Sequence, residues 1–270
     1  MAPTEAYWGI VTSTIDWCEE NYVVSRYIAE FWNTISNVIM IFAPLFACIL
    51  AVQQKLEKPV LFSYISIVVV GCGSWLFHMT LQYSMQLMDE LPMIYGSAFL
   101  LYGILTLEAE KGQNFAWLVY TLFVYCVAVT VMYLVNKNPI FHEVAYALMV
   151  AVTVFASIRV LIKYQSKTGI LLYASSFATY MSGFLLWNID NVYCQNLRSF
   201  RRDQIHTAAT PLFECHAWWH ILAGMGTYLC LLFLTHMRYT ILNKSPELKF
   251  LFGFLPYVSV PNAAKQEKVR

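Results

Sequence analysis

The chain of 270 residues is 59% hydrophobic and only 12% charged, about half the charged fraction of a soluble domain. That composition excludes an ordinary soluble globular protein and indicates an integral membrane protein. A net charge of +1 with no basic stripe removes the electrostatic case for nucleic acid as a partner.

Residues 1–30 carry Glu5, Asp16, Glu19, Glu20 and Glu30 without a basic n-region or an apolar h-region, so no cleaved signal peptide is expected. Asp16, Glu19, Asn21 and Glu30, with the backbone carbonyl of Trp17 among them, form a dense set of hard oxygen donors of the kind calcium prefers. The spacing is not that of an EF-hand loop, and solvated acids capping the first span are the ordinary alternative. Apolar runs long enough to cross the hydrocarbon follow at about 31–52, 60–81, 91–107, 115–135, 140–162, 170–190 and 213–236. The fold class they predict is an all-α membrane protein, a seven-transmembrane helix bundle. The expected organisation is a segment over 1–30, a seven-span domain over 31–236 and a tail over 237–270.

Span two ends in Ser74 and His78, four residues apart and therefore on one helix face. Asp89 precedes span three. Span five opens with His142 and Glu143, and span six closes with Asp190 and Asn191; an interfacial position accounts for all four. Span seven opens with His216 and His220, again four apart, so both rings can point at one ion while His78 arrives from an earlier helix. A lone histidine in an apolar helix is usually hydrogen-bonded rather than metal-bound. Three of them with a carboxylate and a hydroxyl favour a metal site, because ionisable groups at membrane depth are costly and commonly functional. Three neutral ligands leave a fourth position for water, as in zinc hydrolases. Ser74 alone reads equally well as a hydroxyl bonded back to its own helix.

Twelve of the 17 lysines and arginines fall in the loops after spans one, three and five and in the tail, Lys111, Lys265, Lys268 and Arg270 among them. The other side holds Arg26, Lys137, Arg198, Arg201 and Arg202. The positive-inside rule therefore predicts a cytosolic C-terminus and an N-terminus on the opposite, non-cytosolic side, against the dissent of the three arginines between spans six and seven. All three histidines, Ser74 and Asp89 then lie at the non-cytosolic ends of spans two, three and seven. Cys18 and Cys194 fall on that oxidising side and can pair; Cys48, Cys72, Cys126 and Cys230 lie within spans as packed thiols, and Cys215 is ambiguous.

Four strings carry a family resemblance: Thr14-Ile15-Asp16-Trp17-Cys18-Glu19-Glu20-Asn21-Tyr22, Gly73-Ser74-Trp75-Leu76-Phe77-His78-Met79-Thr80, Asp89-Glu90-Leu91-Pro92-Met93-Ile94-Tyr95 and His216-Ala217-Trp218-Trp219-His220-Ile221-Leu222. With them the chain resembles the alkaline ceramidases, seven-span amidases, and looks closest to fungal phytoceramidase and dihydroceramidase members. The resemblance implies zinc on His78, His216 and His220, with Asp89 and Ser74 as catalytic residues beside it. It implies calcium on Asp16, Trp17, Glu19, Asn21 and Glu30, with Glu20 outside the set. It further implies residence in the endoplasmic reticulum or Golgi membrane, a membrane ceramide as substrate, and hydrolysis to a sphingoid base and a fatty acid. No obligate protein partner is expected.

The residues account for that chemistry. The His-Ala-Trp-Trp-His string lacks the glutamate of the His-Glu-x-x-His motif, so the general base must come from elsewhere, and Asp89 is the candidate. Ser74 can donate to the oxyanion. The alternative from another class is an adiponectin-receptor-like seven-span zinc protein acting as a lipid-regulated receptor, against which the strings at both ends argue. A G-protein-coupled receptor would need an Asp/Glu-Arg-Tyr triplet and an Asn-Pro-x-x-Tyr motif in its last span, and neither is present.

Overall fold

The computed structural model of the chain describes residues 7–110, 112–113 and 115–261. Glu5, Lys111, Lys265, Lys268 and Arg270, used in the charge reading above, lie outside the described residues. The helices are α1 (Phe31–Ser36), α2 (Val38–Gln53), α3 (Lys58–Thr80), α4 (Tyr83–Leu105), α5 (Ala116–Asn136), α6 (Pro139–Tyr164), α7 (Lys167–Val192), α8 (Cys194–Gln204) and α9 (Cys215–Ile241). A 3-10 helix at Thr207–Phe213 leads into α9, and a hairpin of β1 (Glu247–Leu251) and β2 (Leu255–Ser259) follows it.

Six of these segments are long and apolar enough to cross a membrane: Phe31–Gln53, which joins α1 and α2, together with α3, α5, α6, α7 and α9. The 23-residue α4 matches them in length but carries Asp89 and Glu90 in its second turn. Local chemistry starts several of the helices. Pro139 sits in the first turn of α6, and the Asn138 side chain accepts from the Ile140 amide at 3.0 Å. Ser166 caps α7 by accepting from the Gly169 amide at 3.1 Å.

Helix α9 is the axis of the fold. From Cys230 to Tyr239 every residue is buried, and its Leu231, Phe233, Leu234 and Met237 join the main core with residues of α2, α3, α4, α6 and α7. The outer helices carry the complementary pattern. Phe123, Val135, Phe155, Ile162 and Leu171 are all well exposed, an apolar surface too extensive for water and suited to acyl chains. At Gly226 a Cβ would lie within 3.0 Å of the Tyr180 backbone, so glycine there is what allows α7 and α9 to touch.

The region 191–212 is not a bare loop. It contains α8 and the 3-10 helix, and the tail adds a hairpin, in which Leu248 pairs with Val258. The hairpin is anchored to the helices by Tyr228, whose hydroxyl donates to the Pro256 carbonyl at 2.8 Å, and by Gln54, which accepts from the Val260 amide at 2.5 Å.

Candidate metal centre

His78 lies in the last turn of α3, where carbonyls have no partner within the helix. The N-terminal segment supplies the missing donors. The Glu30 amide donates to the His78 carbonyl at 3.0 Å, Ala29 to Met79 at 2.9 Å, and Thr12 and Ser13 to Leu81 at 3.2 and 3.1 Å. His216 and His220 occupy the first two turns of α9, whose opening is tied down by Asp190 of α7, accepting from the His216 amide at 3.2 Å.

These two helix ends bring one ring nitrogen of each of the three histidines within 4.8 Å of the others, with all three side chains buried. Their far nitrogens are largely committed. His78 Nδ1 lies 2.5 Å from Glu30 Oε2; with Glu30 ionised, as beside a bound cation, the carboxylate holds the proton on Nδ1 and leaves Nε2 free to ligate. Ser36 gives its hydroxyl hydrogen to the Asn33 carbonyl at 2.9 Å and can therefore only accept from His220 Nδ1, also at 2.9 Å. That too frees Nε2. His216 is held differently, by the Trp17 ring stacked on it with centroids 3.8 Å apart, and its Nδ1 is buried without a partner. Neutral, pre-oriented imidazoles converging from two helices fit a borderline-soft divalent cation, and zinc is the usual occupant of such a donor set.

Ser74 and Asp89 are brought beside one another by Gly73, at which any Cβ would collide with the Met88 carbonyl. Glycine at that position lets α3 and α4 approach closely enough for the pair to form. Ser74, Asp89, His216 and His220 all line one cavity of about 440 Å³, whose remaining wall is mostly apolar. A site with a ligand trio, a carboxylate and a hydroxyl at the edge of an apolar cavity can bind a long-chain molecule by its tail and hydrolyse a bond near its polar end.

The acidic segment folds against this site. Glu19 accepts from the Trp32 and Asn33 amides, both at 2.8 Å, and so caps α1 from a distance. Glu30 accepts from the Trp17 amide at 3.3 Å and from Asn33 Nδ2 at 3.0 Å. Asn21 Nδ2 donates to Asp16 Oδ1 at 3.4 Å, while Asn21 Oδ1 is buried with no partner. Arg198 donates to the Trp17 carbonyl at 3.1 Å. Burial pushes both Glu19 and Glu30 from the ordinary 4.5 up to about 8. An ion-free cluster of this kind resists full ionisation, and the orphaned Asn21 oxygen suits a hard cation. Among the described residues, however, the histidines alone form a convergent trio of ligand side chains; Asp16, Glu19 and Glu30 do not close to the same degree.

Cys18 and Cys194 are joined in a disulfide. It fastens the acidic segment to α8, and Arg201 reinforces the join by donating to the Cys18 carbonyl at 2.7 Å and pairing with Glu214 at 2.9 Å. Sequence reasoning missed several of these supports. Asp190, read as a polar helix end, is buried and accepts from the Cys18 amide at 3.1 Å as well as from His216. Ser36 as the partner of His220 carried no signal, and Glu30, read only among the acidic oxygen donors, carried none for its contact with His78.

Comparison with known proteins finds matches that span most of the chain. The sequence profile of the Ceramidase family matches residues 9–259. The chain is 46% identical to alkaline ceramidase 3 of Mus musculus over 96% of its own length and 97% of that protein's. It is 36% identical to alkaline ceramidase YPC1 of Saccharomyces cerevisiae, covering 91% and 83%. To an alkaline ceramidase of Arabidopsis thaliana it is 30% identical, covering 97% and 98%.

Proposed function

The chain belongs to the ceramidase family, and on that premise we propose that it is a multi-pass membrane amidase that hydrolyses ceramide to a sphingoid base and a fatty acid. The observation that carries this reading is the convergence of His78, His216 and His220, two of which, His216 and His220, line the same apolar cavity as Asp89 and Ser74. A zinc ion held by the three histidines would supply Lewis acidity, which makes a water nucleophilic near neutral pH and polarises an amide carbonyl. Asp89 accepts the proton of the attacking water and delivers it to the amide nitrogen as the C–N bond breaks. Ser74 donates a hydrogen bond to the carbonyl oxygen as negative charge gathers there. Glu30 and Ser36 hold the imidazoles of His78 and His220 in the ligating tautomer. Incubating the purified protein with ceramide is expected to release sphingoid base and fatty acid in equal amounts; a folded, zinc-loaded protein that releases neither refutes the assignment.

The same reading takes α4 as a seventh span, with Asp89 and Glu90 facing inward, and places residues 1–30 in the lumen of the endoplasmic reticulum or Golgi and residues 237–270 in the cytosol. Asn243-Lys244-Ser245 has the pattern of a glycosylation acceptor. On a cytosolic tail it is expected to stay unmodified in cells, as judged by unchanged gel mobility after glycosidase treatment. A glycan there would invert the topology.

Calcium is the proposed occupant beside Asp16, Trp17, Glu19, Asn21 and Glu30. Because burial raises Glu19 and Glu30 to about 8 in the ion-free protein, their contribution to stability is present at low pH and lost as pH rises through that value. A cation binding the ionised carboxylates offsets the loss. The gain in melting temperature on adding calcium is therefore expected to be small at about pH 5 and to widen towards about pH 9. Glu19→Ala is expected to abolish the gain and lower activity while zinc stays bound. A melting temperature indifferent to calcium across that range would reduce the acidic segment to a helix cap.

A further inference from the structure

Three carboxylates line the cavity, and two are accounted for: Asp89 lies beside Ser74 at the reacting end, and Glu90 accepts from the Tyr133 hydroxyl at 2.5 Å and from Gln86 Nε2 at 3.0 Å. The third, Glu143 on α6, is half-buried and has no hydrogen-bond or ion-pair partner among the described residues. Its orientation is nevertheless set by the helix. Tyr146, Ala147 and Val150 also line the cavity, and positions three, four and seven residues after Glu143 share its face. Its depth is fixed by the residue before it, because His142 Nε2 donates to the Glu90 carbonyl at 2.7 Å. Glu143 therefore faces the cavity at the level of the Asp89–Glu90 pair.

An unpartnered carboxylate in an apolar wall is costly unless a ligand satisfies it. The cavity otherwise suits an aliphatic chain, which offers a carboxylate nothing. On a ceramide the hydrogen-bond donors nearest the scissile amide are the hydroxyls of the sphingoid base, carried one to two carbons from the amide-bearing carbon. Building on the ceramidase reading, we propose that Glu143 is a specificity-determining residue that accepts a hydrogen bond from a sphingoid-base hydroxyl. A site built to bind a hydroxyl discriminates against a substrate that lacks it, because the acceptor, covered by the aliphatic chain, is then left unpaired.

The test compares kcat/KM of the purified enzyme and its Glu143→Leu variant on dihydroceramide, on its analogues lacking the C1 or the C3 hydroxyl, and on phytoceramide, which adds one at C4. In the wild-type enzyme the hydroxyl that Glu143 binds is expected to raise kcat/KM by roughly 10- to 100-fold over the substrate without it, the worth of one hydrogen bond to a charged group. In Glu143→Leu that one ratio is expected to fall towards unity while the others persist, and the ratio that falls identifies the hydroxyl. Glu143→Gln keeps an acceptor without the charge, so it is expected to lose part of the same ratio and decides the matter if the leucine variant does not fold. Ratios unchanged from wild type in the folded variants overturn the proposal while leaving ceramide hydrolysis intact. Failure of the wild-type enzyme on every ceramide would instead refute the parent reading.

Discussion

Replacing His78, His216 or His220 with alanine is expected to bring ceramide hydrolysis to the limit of detection and to remove most bound zinc, with the protein still reaching the membrane. The three rings come from the last turn of α3 and the first two turns of α9, so each substitution deletes one ligand without touching the core packed around Leu231 to Met237. Two imidazoles cannot complete a tetrahedral site of three protein ligands and one open position. The loss should therefore be of metal and activity together, with a modest change in melting temperature. Elemental analysis of detergent-purified variants checks this. Stoichiometric zinc in a His216→Ala/His220→Ala double variant would remove the site from the account.

Asp89→Asn separates metal binding from proton transfer. Asparagine has nearly the shape of aspartate and can keep the neighbourly contact with Ser74, yet it cannot accept a proton from water. Zinc content is expected to stay at the wild-type level while kcat falls by about 10²- to 10⁴-fold, the usual contribution of general acid–base catalysis. Ser74→Ala should lower kcat by about 100-fold with little change in KM, since a donor to the developing oxyanion acts in the transition state and not in substrate binding. Turnover at the wild-type rate in Asp89→Asn would exclude Asp89 as the base.

What was legible in the sequence was whatever depends on a local period. The hydropathy runs marked out the long helices, and a spacing of four placed His216 with His220 and Ser74 with His78 on common faces. The site's supports were illegible because their partners are remote: Ser36 and His220 are 184 residues apart, and Asp190 meets His216 only because α7 and α9 lie side by side. The interruption of the first span at Asn37 also escaped the hydropathy reading. There the asparagine side chain turns back to donate to the Asn33 carbonyl at 2.9 Å, a local bond that competes with the helix and that an average over apolar residues does not register. Helix α8 (Cys194–Gln204) is strongly polar, so a search for apolar runs does not register it. The hairpin after α9 depends on a left-handed turn at Gly253, with φ of +79°, and on contacts with Gln54 and Tyr228 from distant helices.

Glu143 illustrates the opposite case. Its sequence position, beside a histidine at the start of an apolar run, was accounted for by the membrane interface. Only the placement of α6 along the cavity distinguishes a carboxylate in contact with headgroup water from one facing a lipid-binding space.

The central claim is that three histidines hold a zinc ion at the wall of the lipid cavity. X-ray absorption at the zinc edge of the purified protein tests it most directly. The expected spectrum has a first shell of about four nitrogen or oxygen scatterers at about 2.0–2.1 Å with the outer-shell pattern of imidazole rings, and no sulfur near 2.3 Å. A first shell containing sulfur, or protein free of zinc that still releases sphingoid base at the full rate, would contradict it.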